Sequence, residues 1–317
     1  MNTILITPRS LTKGSHVALD ALKERGYDLR LGPAGETPTE AQLQELLPGC
    51  VGWLAGVEPV SEAVLASASG TLKVISRNGV GVDNIPLKTC ERLGINVRRA
   101  IGANSQGVAE LALGLMLAGL RQVPFCDASL KSGDWSRRAG KELRGSVLGI
   151  IGMGAIGRGV ATMADAIGAT VLGEDPFVDK SLSFGDKFKW AERSEIFRMA
   201  DVITMHCPPP ADNSTLIDAA VIQKMRNNAV LVNTARASLV DEAAVLEALS
   251  GNKLGCYATD VFHSEPPGLT SLIQSSRVIA TPHIGGFTAE SVQKASLIAV
   301  ENILECLAGD GPDVRAS

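Results

Sequence analysis

"SVLGIIGMGAIGR", residues 146–158, runs a short apolar stretch straight into Gly152, Gly154 and Gly157 and then opens a helical pattern. That is GxGxxG in the one context where the spacing carries weight: after a strand and at the start of a helix. The three glycines serve a tight turn, a close backbone approach to a pyrophosphate, and close packing of helix on strand. The helix N-terminus then turns the amides of Ala155 and Ile156 toward an anion. Eighteen positions beyond Gly157, the next strand ends in "VLGEDP". Asp175 falls where a carboxylate accepts from the adenosine ribose hydroxyls and repels a 2′-phosphate. Glu174 precedes the strand's last position and is the weaker candidate. The stretch therefore predicts a doubly wound α/β domain that binds NAD in preference to NADP.

Outward from this turn the same alternation continues. "ATVLGED", "DVITMHC", "AVLVNTA", "GCYATDVF" and "RVIATPH" read as strands, with helical patterns at 155–168 and in "DEAAVLEALSGNK". Upstream, "TILIT", "DLRL", "VGWLAG", "LKVIS" and "INVR" alternate with helical stretches such as "HVALDALKERG". Short β-branched runs between helices argue for parallel sheets covered by helices. A chain of 317 residues exceeds one core of ordinary size, so two domains are expected. A helix over 104–120 bridges them, and the amphipathic pattern after Gly286 suits a terminal helix that packs back on the first unit. The expected division is 1–101 plus 287–317 as one discontinuous, flavodoxin-like domain and 102–286 as the Rossmann domain.

Ligands of doubly wound sheets sit beyond the carboxyl ends of the strands. Three late strands finish there in polar groups: "AVLVNTAR" in Arg236, "ATDVFHSEPP" with Asp260 and Glu265, and "VIATPH" in His283. Taken singly, each has an ordinary structural explanation. Together, beside a dinucleotide site, they form an acid–base set. A carboxylate bonded to one ring nitrogen fixes the histidine tautomer and favours imidazolium. A guanidinium fork grips a carboxylate bidentately. The set suits hydride transfer to a 2-keto acid.

The bulk numbers narrow the field. Net charge is −4, with 45% hydrophobic and 20% charged residues. That offers no strongly basic surface to nucleic acid. The most apolar stretch, "AELALGLMLAGL", is bounded by the charges of Glu110 and Arg121 and is too short to span a bilayer. The N-terminus shows no basic region followed by a long apolar run. Cysteines 50, 90, 126, 207, 256 and 306 stand singly, without a CxxC pair, so a reducing, cytoplasmic setting is expected. His206, His16 and His263 belong to no comparable constellation, and no third ligand at sensible spacing supports a metal site.

Seven segments carry a further signal: "RNGVGVDNIPL", "VAELALGLML", "LGIIGMGAIGR", "HCPPPADNSTLI", "LVNTARASLVDEAAVLEAL", "DVFHSEPP" and "TPHIGG". In order and spacing this set resembles the D-isomer-specific 2-hydroxyacid dehydrogenase family, nearest to its phosphoglycerate dehydrogenase-like branch, from about residue 50 to about residue 305. The resemblance implies the two-domain fold, NAD as cofactor, a small 2-hydroxy or 2-keto acid as substrate, and a homodimer built on the cofactor domain. It implies that His283 is the acid/base, Glu265 its partner and Arg236 the carboxylate clamp, with Arg236 and His283 also touching the cofactor. Asp260 would face the nicotinamide carboxamide, while Cys207, Thr234 and Gly286 would line the cofactor. The amides of Val80 and Gly81 would hold the substrate carboxylate, with Asn104 a further substrate-side candidate. A dinucleotide-sensing corepressor of the same fold is the alternative.

The chain also departs from that branch. It stops at Ser317, so the regulatory C-terminal domains of many phosphoglycerate dehydrogenases are expected to be absent. Ala55-Gly56 replaces an Arg-Ser pair, and "RRAIGANS" replaces an Asn-x-Pro segment. Arg77 ends one strand and Arg98-Arg99 end another on what the resemblance makes the active-site rim. Arg77 and Arg99 are therefore expected to receive a second anionic group of the substrate: a phosphate, phosphonate, sulfonate or carboxylate.

Overall fold

The computed structural model describes residues 2–309 apart from 69, 183 and 213; the end of the expected first domain, 310–317, lies outside the described residues. The chain divides into two compact units, residues 1–104 with 286–317 and residues 105–285.

The first unit alternates strand and helix: β1 (Thr3–Ile6), α1 (Val17–Glu24), β2 (Asp28–Leu31), α2 (Glu40–Leu46), β3 (Cys50–Ala55), α3 (Glu62–Ser67), β4 (Val74–Arg77), α4 (Leu87–Arg92) and β5 (Asn96–Arg99). Its five strands are parallel in the order β2-β1-β3-β4-β5, the flavodoxin-like winding. Ile4, Ile6 and Leu54 pack on one face with Val300 and Ile303 of the C-terminal helix, Ala289–Ala308. Leu5, Trp53 and Ile75 pack on the other. That helix returns to this unit after the second is complete, which makes the first discontinuous.

The second unit opens with α5 (Ser105–Arg121) and α6 (Val123–Lys131). It continues through β6 (Val147–Ile151), α7 (Ala155–Ile167), β7 (Thr170–Glu174), β8 (Phe188–Trp190), α8 (Arg193–Met199), β9 (Val202–Met205), α9 (Ala219–Lys224), β10 (Ala229–Asn233), α10 (Glu242–Ser250), β11 (Leu254–Thr259) and β12 (Val278–Ala280). The seven-stranded sheet runs β12-β11-β10-β9-β6-β7-β8, all parallel. The order reverses beside β6, where doubly wound sheets take their ligand. Strands covered on both faces explain the continuous apolar runs: Leu148 and Ile150 pack beneath α5 and α7, whereas Ile151, Ile203 and Met205 pack beneath α8 to α10. The apolar stretch in α5 is core; Ala109, Ala112, Leu115 and Met116 are buried. No single helix among the described residues is long and apolar enough to cross a membrane.

Strand β8 and helix α6 are among the elements the sequence pattern does not show. Strand β8, "FKW", is a three-residue edge strand preceded by a loop, too short to show a period. Helix α6 buries none of its residues, so no apolar stripe marks it.

Candidate active site

The glycine turn is built as its spacing requires. Gly152 leaves β6 at φ +95°, and a Cβ there would come within 2.6 Å of the His206 carbonyl. A Cβ on Gly157 would meet the Gly152 carbonyl oxygen at 2.0 Å. A Cβ on Gly154 would meet nothing within 4 Å, because that glycine faces open space. Gly154 caps the 13-residue α7 with no side-chain acceptor, so the first-turn amides of Ala155 and Ile156 are left for a ligand. Asp175 is tied to this turn: its Oδ2 accepts from the Met153 amide at 2.8 Å and its Oδ1 from the Phe177 amide at 2.9 Å. Arg158 braces the same corner by donating from Nε to the Met153 carbonyl at 2.8 Å.

Beyond β10, the Asn233 side chain shapes the turn that presents Arg236. Its Nδ2 donates to the Arg236 carbonyl at 2.8 Å and its Oδ1 accepts from the Ala235 amide at 3.0 Å. The half-buried Arg236 donates from Nη1 to the Ala235 carbonyl at 2.8 Å. Asp260, just past β11, is 2% exposed. Its Oδ1 accepts from the Thr281 hydroxyl at 2.6 Å and the Ile284 amide at 2.8 Å, its Oδ2 from the Gly285 amide at 2.7 Å. One buried carboxylate thus holds both sides of the segment that carries His283.

His283 itself sits at φ +52°, in the left-handed region that few non-glycine residues adopt. Its Nδ1 lies 2.7 Å from Glu265 Oε2, and Glu265 Oε1 accepts from the Phe262 amide at 3.2 Å. With the carboxylate as acceptor, Nδ1 carries the proton, and Nε2 has no partner among the described residues. The two side chains are 54% and 39% exposed, open enough for a substrate to reach the ring. His206 Nδ1 and the Thr234 hydroxyl are buried without a partner among the described residues. A buried polar atom left unmatched in a folded chain is a place for a ligand or water.

A family model described as "D-isomer specific 2-hydroxyacid dehydrogenase, NAD binding domain" matches residues 113–285, which include the glycine turn, Asp175, Arg236, Asp260, Glu265 and His283. The chain belongs to the D-isomer specific 2-hydroxyacid dehydrogenase family. It is 42% identical over 242 residues to a D-3-phosphoglycerate dehydrogenase of Methanocaldococcus jannaschii, across 75% of this chain and 46% of that one. It is 37% identical over 248 residues to a hydroxypyruvate reductase of Thermotoga maritima, across 77% and 80% respectively. The solved TT0316 protein from Thermus thermophilus superimposes with a TM-score of 0.85 at 32% identity, covering 98% of both chains. The chain spans about half the length of the first curated relatives it matches.

The geometry suits this family's NAD: uncapped amides, an acid fixed against the turn and a glycine opening on free space lie in one corner. Cys207 is half-buried at the same corner, its thiol pushed up chiefly by burial. Gly286 falls in the first unit, where a Cβ would stand 2.7 Å from Asn104 Nδ2, so the glycine makes room for that amide.

On the first unit, Arg77 and Arg99 are direct register partners at the carboxyl ends of β4 and β5. Neither is a solvated surface arginine. Arg77 is half-buried, donates from Nη1 to the Asn78 carbonyl at 2.7 Å, and keeps a buried Nε without a partner among the described residues. Burial is the main influence on Arg77 and pulls its guanidinium down; Glu58 and Asp83 act the other way. Val80 and Gly81 follow in a half-buried loop. Arg99 is half-buried, and its carbonyl accepts from Asn302 Nδ2 at 3.1 Å.

Glu58 escaped the sequence. It is 1% exposed and accepts from the Thr7 hydroxyl and, at 2.8 Å, from the Gly56 amide. A buried carboxylate therefore occupies the place next to Ala55-Gly56. Nothing in "GVEPVS" signals burial, because its donors come from Thr7 and the backbone. His206 is likewise turned inward: its Nε2 lies 3.0 Å from the Thr204 hydroxyl, and burial pushes the ring down to about 3, so it is neutral. Of the other histidines, His16 caps α1 through Nδ1. Among the described residues, no group of three or more His, Cys, Asp or Glu is placed to hold a metal ion.

Proposed function

We propose that the protein is an NAD-dependent oxidoreductase acting between a D-2-hydroxy acid and its 2-keto acid, with a substrate that carries a second anionic group. The observation that carries the reading is the 2.7 Å His283–Glu265 pair at the same carboxyl edge as the glycine turn and its ribose acid. Bound NAD(H) supplies a hydride acceptor or donor at C4 of its nicotinamide ring.

The residues of this chain supply the rest. The Ala155 and Ile156 amides hold the pyrophosphate, and Asp175 keeps lone pairs for the ribose diol. His283 gives a proton from Nε2 to the C2 oxygen during reduction and takes it back during oxidation. Glu265 holds the Nδ1 proton and stabilises the charged ring. The Arg236 fork binds the substrate carboxylate and polarises the neighbouring carbonyl. Asp260 holds the His283 segment; any contact with the carboxamide uses its remaining lone pairs. On the first unit, Val80 and Gly81 amides support the substrate carboxylate, and the paired Arg77 and Arg99 take the second anion. Arg77 and Arg99 end neighbouring strands in register, which supports a shared anion site there, with Glu58 and Asp83 already acting on Arg77. The second unit is then the cofactor domain and the first the substrate domain. Exposed Val123, Leu130 and Trp135 on and after α6 (53%, 57% and 77%) support a homodimer built on this unit. We place the protein in the cytoplasm, on its scattered free thiols.

The test is NADH oxidation against 2-keto acids that differ at C3, for the wild type and Arg99→Ala. Turnover should favour the acid with a second anion, and Arg99→Ala should hurt that substrate far more than pyruvate. Pyruvate or an apolar 2-keto acid proving the best substrate refutes the second anion. Tight NADH binding without turnover on any acid refutes the enzyme and favours the dinucleotide sensor.

A further inference from the structure

Beside Asp175 the second unit carries a charge pair that the assignments above leave unused. Glu174, the last residue of β7, accepts at 2.8 Å from Nη2 of Arg193, the first residue of α8. The glutamate side chain is 15% exposed and the arginine 42%, so the acid is set in and the guanidinium keeps an open edge. Arg193 Nε is shut from solvent and has no partner among the described residues. The pair lies at the cofactor corner. The Cys207 thiol feels Arg193, Glu174 and Asp175 together, and the Cys207 amide would come within 2.7 Å of a Cβ on Gly152.

The chemistry at that corner is unusual in holding both halves of a choice. An acid at the end of the second strand binds the ribose 2′-hydroxyl of NAD, whereas a nearby arginine accommodates the 2′-phosphate of NADP. A guanidinium fork is matched to phosphate, and it has donors to spare here. What keeps it from that task is its neighbour. Arg193 is already engaged by Glu174 at 2.8 Å.

We propose that Glu174 is a second determinant of NAD over NADP, because it holds Arg193 in an ion pair and withholds it from a 2′-phosphate. This rests on the assignment of Asp175 to the ribose. Asp175 repels the extra phosphate, and Glu174 removes the cation that would welcome it.

Binding of NADH and NADPH, followed by nucleotide fluorescence without turnover, tests this in Glu174→Gln, Arg193→Met and the double variant. Glu174→Gln removes a charge and frees the guanidinium. For a partly exposed pair the NADPH dissociation constant should fall roughly three- to tenfold. NADH affinity should move by less than about twofold, since no 2′-phosphate is present to be gripped. Arg193→Met on the Glu174→Gln background should abolish the gain. An unchanged NADPH affinity in Glu174→Gln, or a gain that survives in the double variant, overturns the proposal. A gained affinity cannot be mistaken for misfolding. Asp175→Ser separates the two levels: if it leaves NADH binding intact, the ribose assignment fails. If it weakens NADH while Glu174→Gln is inert on NADPH, only the role of Glu174 fails.

Discussion

Asp260→Asn changes one atom and should disable the site by moving a residue it does not touch. The Asp260 carboxylate accepts three hydrogen bonds, from the Thr281 hydroxyl, the Ile284 amide and the Gly285 amide, and is 2% exposed. In the asparagine, Oδ1 keeps two of these bonds, but the NH₂ group now faces the Gly285 amide, donor against donor. A bond to a charged acceptor contributes about 1.5–3 kcal/mol, and a buried amide left unmatched costs about 1–3 kcal/mol. The asparagine cannot swing away, since a Cβ on Gly285 would already stand 3.0 Å from Oδ2. We therefore expect the variant to lose about 2–4 kcal/mol, carried mostly by residues 281–285. His283 lies in that segment at φ +52°, a conformation the surrounding bonds must impose. A shift of about 1 Å in an acid/base costs on the order of 10²-fold in rate. The assay is single-turnover NADH oxidation with thermal unfolding of the same sample. kcat should fall roughly 100-fold while NADH affinity stays within about threefold. Thr281→Val, which removes one bond and leaves both amides matched, should fall between the two. Wild-type kcat and melting temperature in Asp260→Asn would refute the clamp. A large loss of NADH affinity with normal turnover at saturation would return Asp260 to the carboxamide.

Three further outcomes follow from the site. Asp175→Ser should weaken NADH and narrow its advantage over NADPH, because the serine neither accepts twice from the ribose nor repels a phosphate; titration with both nucleotides measures it. Arg236→Lys keeps the charge and loses the fork, so KM should rise and kcat fall together, and steady-state kinetics retaining both would move the carboxylate elsewhere. His206 is held neutral, its folded pKa lowered to about 3 from 6.5. Its contribution to stability is complete above about pH 6.5 and is lost as the pH falls toward 3, where the unfolded chain takes a proton that the folded chain refuses. Urea unfolding across that window should show a steeper acid loss for the wild type than for His206→Asn.

What the sequence showed clearly was local or periodic. The glycine turn, Asp175 eighteen positions on, and three polar strand ends are each read from one short segment. Parallel strands buried on both faces announce themselves as apolar runs. What it hid depends on contacts between distant residues. Glu58 is buried because Thr7, fifty-one positions away, donates to it. The grip of Asp260 on Gly285 crosses twenty-five positions, so the acid reads only as one more polar strand end. Arg193 drew no reading from the sequence, because its pairing with Glu174 joins residues nineteen positions apart. Arg77 and Arg99 were visible as strand ends, but their direct pairing comes from the β4–β5 register, which no short segment encodes.

The central claim is that His283 carries the proton and Glu265 holds it ready. The most direct measurement compares NADH binding and the pre-steady-state reduction rate in wild type, His283→Asn and Glu265→Gln. His283→Asn should bind NADH normally and lose roughly 10²–10⁴-fold in rate. Glu265→Gln should bind NADH normally and lose less rate than His283→Asn, because the ring stays while the carboxylate that fixes its Nδ1 proton is gone. A His283→Asn enzyme that reduces its best 2-keto acid at the wild-type rate would contradict the account.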